Sequence, residues 1–470
     1  MRAKIFILTL FISIIFADTI WVRWFDTFTD ELGYGVAARL DKILQVGTFL
    51  ADSNYDPLAT IYNQNGNLLR VIPIGLPLDN EAISAAFDNQ GNFYLTGYTY
   101  QFRKLLLKDL IDKRFYAQEY RSFLIKFDSL GIEEWRKIEE NKIGLGVTVD
   151  LANNAYQSGT YYYGDFDFFI KKYSPTGETI WERILDNNLY DFGYRVKVDN
   201  DGNIVAVGFT GDGNSFDLLI WKLTPNGNTI WQRTYDFSPI DFGISVDIDF
   251  HNNIFVVGSC GDYYLDFLVL KCDENGNPLW SRTFDYSDYD QAIGVTTGRF
   301  GDVGQQNNIY LCGYGGNLED YDLIILCYNT NGNLIGQEIY DFSLDDVGCD
   351  LTTDSVGNPI VSGYAVNNIN YTYDFLLMKL AGQVKILERD NLKKKREIIT
   401  KDKIYFFLPY SFYYSLAIYD LQGRRLKELY SGYLEKGIHQ FSLKDIKEKI
   451  AILSIRNDLG YMKNIKIVRY

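Results

Sequence analysis

One pattern recurs along this chain about every 50 residues, a period expected of propeller blades. It reads DFGYRVKVDNDGNIVAVGFT and then DLLIWKLTPNGNTIWQRTYD between 191 and 236. It returns as DFGISVDIDFHNNIFVVGSC and then DFLVLKCDENGNPLWSRTFD between 241 and 285. Each copy holds four short apolar runs. The first follows a small residue (Gly33, Ala82, Gly144, Gly193, Gly243, Ala292 and Gly348), and the second ends on a glycine (Gly47, Gly97, Gly159, Gly208, Gly258, Gly313 and Gly363). The third opens after an Asp, as at Asp167, Asp217, Asp266, Asp322 and Asp374, and the fourth often carries a Trp, as at Trp135, Trp181, Trp231 and Trp280.

Turn residues separate the runs. DNDGN at 199–203 and DSVGN at 354–358 join the first run to the second; PNGN at 225–228, ENGN at 274–277 and TNGN at 330–333 join the third to the fourth. Asn-Gly tolerates the positive φ angles of a tight hairpin, so each copy reads as a four-stranded antiparallel meander. A lone meander cannot bury both faces. Meanders packed face to face around an axis can, and such a ring leaves only short, protected edges. The abundance of Tyr (37) and Phe (31) agrees, because aromatic residues suit a pleated, half-buried surface.

The last copy stops one strand short, at DFLLMKL over 374–380, and the start of the chain supplies a match: TIWVRWFD at 19–26 is similar to TIWERILD at 179–186 and TIWQRTYD at 229–236. The predicted fold is therefore all-β, a seven-bladed β-propeller over 18–380 closed by the N-terminal strand. The repeats resemble the bacterial β-propeller repeat of the SBBP type, whose core is similar to D-x-x-G-N-x-Y-V-x-G, over nearly all of 19–380; the Phe-Pro-Thr segment usual after that core is absent. The resemblance implies an extracellular propeller without assigned chemistry.

The ends of the chain differ from its middle. Arg2 and Lys4 precede the apolar run IFILTLFISIIF at 5–16, and Ala17 precedes Asp18, so residues 1–17 read as an export signal. The run is shorter than the roughly 20 residues of a spanning helix; an uncleaved anchor is the alternative, and no later segment could span a membrane. The expected location is secreted or on the outer cell surface. Cys260, Cys272, Cys312, Cys327 and Cys349 are an odd set without CxxC spacing and read as buried core residues, compatible with one disulfide and no metal site. Residues 381–470 carry 19 Lys/Arg against 10 Asp/Glu, and the whole chain is −15, which leaves −24 on residues 1–380. A propeller this acidic repels nucleic acid and anionic membranes.

A charged linker at 381–400 contains KKKRE at 393–397, and beyond it come short alternating runs at 404–409, 414–430, 437–443, 450–456 and 462–470. They predict a small immunoglobulin-like β-sandwich over 401–470. YDLQGRRL at 419–426, GYLEKGIH at 432–439, and Lys463 and Lys466 after Gly460 resemble the C-terminal sorting domain of the type IX secretion system. That resemblance implies the secretion machinery as a partner; a module that only packs against or presents the propeller is the competing reading.

Chemistry is harder to find. The only histidines are His251 and His439, and neither has the partners of a nucleophilic triad or zinc spacing. DNDGN lacks the later bidentate Glu of a calcium loop and reads as a turn. No catalytic residue is singled out. Two positions before the small residue that opens each copy stand Glu31, Asn80, Lys142, Asp191, Asp241, Asp290 and Asp346. First strands line a propeller channel, so Glu31, Asp191, Asp241, Asp290 and Asp346 fall near one channel mouth. There they could hold a cation such as Ca2+, or a polar ligand, through oxygen; the alternative is that each caps the turn between blades.

The loops between second and third strands reach the same end and vary in length. They hold Tyr161, Tyr162, Tyr163, Tyr263, Tyr264, Tyr321, Tyr371 and Tyr373. Variable loops on a rigid scaffold are where binding resides, and Tyr offers a protein or sugar both a stacking face and a hydroxyl; alternatively these rings cover blade edges. FRKLLLKDLIDKRFY at 102–116 has a helical apolar stripe and reads as an amphipathic helix over the propeller, either packing or acting as a lid. Three functions compete: a secreted or surface scaffold that binds a protein or glycan; an extracellular propeller hydrolase or lyase acting on polysaccharide, which needs two carboxylates about 5–9.5 Å apart, or carboxylates with Tyr and Arg, in one pocket; and a structural component of the cell envelope.

Overall fold

The chain reverses where Asp-x-x-Gly-Asn and Asn-Gly stand. In the first kind of turn Asp199 Oδ1 accepts the N–H groups of Asp201 (3.0 Å) and Asn203 (2.7 Å), with Gly202 at φ 82°. Asp199 Oδ2 accepts from Asn203 Nδ2 at 3.1 Å and lies 2.9 Å from Lys222 Nζ. Both carboxylate oxygens of Asp199 are thus spent on the turn and on Lys222. Asp88, Asp150, Asp249 and Asp354 repeat the arrangement with the N–H groups two and four residues on.

The computed structural model describes residues 19–381 apart from 28, 52–53, 101–119, 188, 299–307, 318–319, 343 and 367–371. It also describes 397–399, 403–408, 412–419, 424–434, 437–442, 450–457 and 462–468. The expected export signal, the 102–116 segment, residues 393–396 of KKKRE and Tyr371 lie outside the described residues. The chain divides into two compact units, Met1–Ile386 and Leu387–Tyr470. Among the described residues no helix is long and apolar enough to cross a membrane.

The first unit is built from four-stranded antiparallel meanders. A representative one runs Tyr190–Val198, Ile204–Gly211, Phe216–Leu223 and Thr229–Tyr235. Its second strand is buried throughout, whereas its fourth alternates with solvent. That contrast follows from neighbouring sheets covering both faces of the middle strands. The first strands stand side by side around an axis. Glu31–Ala38 packs on Asp79–Phe87, and Lys142–Val149, Tyr190–Val198, Ile240–Ile248, Tyr289–Thr297 and Asp346–Thr353 follow in turn; the last also packs on Glu31–Ala38. This is β-propeller architecture. The sheet of Asp346–Thr353, Pro359–Val366 and Tyr373–Leu380 has Thr19–Phe25 as its outer strand, antiparallel, with Trp21 opposite Lys379 and Phe25 opposite Phe375.

The recurrent glycine of the second strand lies where a side chain cannot fit against the first strand of its own sheet: a Cβ on Gly208 would stand 1.7 Å from Phe192 O. Between adjacent sheets, a Cβ on Gly193 would stand 2.5 Å from Gly159 O. On the outer strand, Trp and Arg two residues apart grip the Asn-Gly turn of the neighbouring sheet. Trp181 Nε1 donates to Pro225 O at 3.1 Å and Arg183 Nε to Gly227 O at 2.7 Å. Gly227 takes φ +79°, and a Cβ there would strike the Trp181 ring at 2.9 Å. The same latch joins Trp280 and Arg282 to Thr330 and Gly332, and Trp21 and Arg23 to Gln64 and Gly66. A ring that buries roughly 200 Å² contributes on the order of 4 kcal/mol before ordering entropy.

All five cysteines are buried, and none is joined to another by a disulfide in this structure. In the second unit the described strands make two antiparallel sheets. One comprises Glu397–Ile399, Lys403–Leu408 and Gly437–Ser442; the other comprises Arg425–Leu434, Phe412–Tyr419, Ile450–Asn457 and Met462–Val468.

Candidate functional site

First strands begin, second strands end, third strands begin and fourth strands end at one end of the propeller. Every acid and tyrosine singled out from the sequence and described lies there. The channel-mouth acids are buried, and each caps the turn before its strand. Asp191 Oδ2 accepts from Asn187 N at 2.7 Å, Asp241 Oδ2 from Phe237 N at 2.6 Å, and Asp290 Oδ2 from Tyr286 N at 2.5 Å and Ser287 N at 3.0 Å. Asp346 Oδ2 accepts from Phe342 N, and Glu31 Oε1 accepts from Thr27 N at 3.2 Å.

In Asp191 and Asp241 both oxygens accept bonds from the turn, Asp191 Oδ1 from Asn187 Nδ2 at 3.1 Å and Asp241 Oδ1 from Ser238 Oγ at 2.7 Å, but two of the acids are used only in part. Asp290 Oδ1 and Glu31 Oε2 are buried with no hydrogen-bond partner. Each channel-mouth acid also belongs to a cluster of three whose ligand oxygens lie within 4.8 Å of one another. The clusters are Asp26–Glu31–Asp374, Asp167–Asp186–Asp191, Asp217–Asp236–Asp241, Asp266–Asp285–Asp290 and Asp322–Asp341–Asp346. The sequence reading grouped the channel-mouth acids with one another; among the described residues, none of these clusters contains two of them. Two members come from one sheet, at the start of its third strand and the end of its fourth, and one opens the next sheet. At the other two register positions, Asn80 Nδ2 donates to Leu78 O at 2.6 Å and Lys142 Nζ pairs with Glu139 at 2.6 Å.

The electrostatics are unusual for carboxylates. Burial, with repulsion from Asp374 and Asp26, pushes Glu31 up to about 8 despite hydrogen bonds from Thr27 and Thr29. Burial, opposed by the backbone bonds from Tyr286 and Ser287 and reinforced by Asp266 and Asp285, takes Asp290 to about 7. Burial and then the charges of Asp165, Asp186 and Asp191 take Asp167 to about 6. Asp191, Asp217, Asp241 and Asp266 are also raised, chiefly by burial. Oxygen-only sets of this kind suit a hard cation.

The tyrosines divide into two groups. Tyr163, Tyr263 and Tyr264 are exposed, at 77%, 84% and 60%. Tyr161 stacks on Tyr163 with centroids 6.3 Å apart. The half-buried ones are tied down: Tyr162 packs on Phe166 at 5.0 Å, Tyr321 on Tyr314 at 4.9 Å, and Tyr373 donates to Asp345 Oδ2 at 3.1 Å.

Two features were missed from the sequence. Arg195 lies in the channel, where it donates to Leu145 O at 3.1 Å and stands 3.7 Å from Asp350 Oδ2 on a first strand far along the chain. Its single cue is that it and Asp350 stand in the ring otherwise occupied by Gly35, Ser84, Gly146, Ser245 and Gly294. The opposite end, read as plain turns, carries exposed apolar tips at Leu40, Leu151, Phe250 and Val356.

Fold and site together define a β-propeller with an acidic, tyrosine-bearing end. No family model matches the chain, and no curated protein sequence is similar to it. Solved structures are similar. They include an ulvan lyase of a polysaccharide lyase family (11% identity, TM-score 0.48, covering 76% of this chain and 96% of that one). The Dos1 propeller (9%, 0.43, 77% and 96%) and Sqt1 from Chaetomium thermophilum (9%, 0.42, 76% and 88%) are similar as well.

Proposed function

We propose that this chain is a secreted or cell-surface scaffold that binds a protein or glycan through the loop-bearing end of a seven-bladed propeller closed by its N-terminal strand. The observation that carries the reading is the exposure of Tyr163, Tyr263 and Tyr264 on equivalent loops of two sheets, large amphipathic rings presented by a rigid frame. The pairing of Thr19–Phe25 with Tyr373–Leu380 and the Trp21–Gly66 latch support closure. In this reading the SBBP-type repeat supplies the frame, residues 1–17 direct export, and the C-terminal unit is an immunoglobulin-like sandwich of sorting type that engages the secretion machinery. The strong negative charge of residues 1–380 disfavours nucleic acid.

The test is a glycan and protein array probed with the purified full chain. Reproducible binding that Tyr163→Ala and Tyr264→Ala abolish is the expected result; binding unaffected by both removes the tyrosine end from consideration. A second reading, a propeller hydrolase or lyase acting on polysaccharide, draws on Glu31 and Asp290, whose raised values of about 8 and 7 suit a proton donor near neutrality. Turnover of an arrayed sugar selects it.

A further inference from the structure

Three acids gathered at a sheet junction are not by themselves a site, since exposed carboxylates often cluster in water. These are different because of what is buried with them. Asp167 is 6% exposed, one of its oxygens is fully buried without a hydrogen-bond partner, and its cluster brings it within 4.8 Å of Asp186 and Asp191. Asp290 Oδ1 and Glu31 Oε2 repeat the situation in two other clusters. Among the described residues no Lys or Arg forms an ion pair with Glu31, Asp167, Asp191, Asp217, Asp241, Asp266 or Asp290. A buried charge without a partner costs several kcal/mol in general, and proteins keep such groups where a cation or a proton completes them.

We propose that the acid clusters between successive sheets are Ca2+ sites, each ion joining the third and fourth strands of one sheet to the first strand of the next. The donor set is oxygen only, which suits a hard cation that takes 6–8 oxygens at about 2.3–2.6 Å. Two oxygens bound to one such ion stand at most about 5 Å apart, and the ligand oxygens of each cluster lie within 4.8 Å of one another. One member of four clusters, Asp186, Asp236, Asp285 or Asp341, is exposed, which gives the ion a way in from solvent. Water and backbone carbonyls complete the shell. Turn capping leaves an oxygen for the ion in two of the channel-mouth acids: Asp290 caps with Oδ2 and keeps Oδ1 unbonded, and Glu31 keeps Oε2 unbonded. The inference is independent of the tyrosine-mediated binding above.

The experiment uses the full chain, stripped with chelator and dialysed against CaCl2. Bound calcium is counted by elemental mass spectrometry, and melting is followed with and without the ion. Wild-type protein is expected to hold calcium in whole equivalents and to melt several degrees higher with it. Asp167→Asn and Asp290→Asn are each expected to lose one equivalent. Their melting is expected to cross over: above wild type in chelator, where a crowded charge has been removed, and below it in calcium, where a ligand has. A purely structural acid would shift melting in one direction under both conditions. Absence of bound calcium at millimolar concentration, or retention of every equivalent in both variants, overturns the proposal. If one variant does not fold, the other decides.

Discussion

At one end of the propeller Asp199 is buried, accepts two backbone N–H bonds and lies 2.9 Å from Lys222 Nζ. At the other end Asp167 is also buried, and its near neighbours are Asp186 and Asp191. The repeat writes Asp at both ends, and burial works against the charge at both. At the turn end, bonds from Asn154 and Tyr156 and the charge of Lys172 overcome burial and hold Asp150 below its ordinary value. Lys379 and Asn358 do the same for Asp354. At the loop end burial and neighbouring acids act together, and the values rise. Desolvation opposes the charge at both ends; the partner decides the outcome.

The largest effect that can break this comparison is expected at the turn end. Lys222→Met strands Asp199 without its cation and should cost about 3–5 kcal/mol in urea unfolding; a loss under about 1 kcal/mol would mean that the turn bonds alone suffice. Next is the pH dependence. Raised acids bind more protons folded than unfolded, so chelated protein should lose stability as pH rises above the ordinary carboxylate range through the values near 6, 7 and 8 of Asp167, Asp290 and Glu31, at roughly 1.4 kcal/mol per pH unit for each acid that is protonated only in the fold. The turn acids have the opposite sign: their contribution is present above the ordinary carboxylate range and is lost below about pH 4. Calorimetry in chelator that showed melting rising steadily from pH 5 to 8 would contradict the crowding at the loop end.

Smaller still, Asp217→Asn in chelator at pH 8 should stabilise by about 1 kcal/mol, since it removes one charge from a crowded set. Equivalent Asn substitution of Asp354, which has Lys379 at 2.6 Å, should destabilise under the same conditions. The least effect on folding, within about 0.5 kcal/mol, is expected from Tyr163→Ala and from Leu151→Ser, both exposed. Array binding should separate them: lost in the first and kept in the second if the loop end is the binding face.

Much of the scaffold was legible because it rests on local chemistry. Gly202 and Gly227 mark turns that need positive φ, and the Trp-x-Arg of outer strands recurs at Trp21 and Arg23. The site was only half legible. Asp167 and Asp191 were each visible as repeated letters, but one opens a third strand and the other the first strand of the next sheet. Their convergence with Asp186 depends on how two sheets abut. Arg195 and Asp350 are more distant still, and their approach depends on the packing of the first strands around the axis.

By itself, then, the sequence determined the four-strand unit, its turns and the glycines that let sheets approach, because each depends on a few neighbouring residues and on backbone conformations that only certain side chains permit. The tertiary structure decided which buried aspartates meet a lysine and which meet other aspartates. That choice lies in through-space distance in a poorly hydrated interior, where the partner a few ångströms away sets the energy of a charge and the spacing along the chain does not.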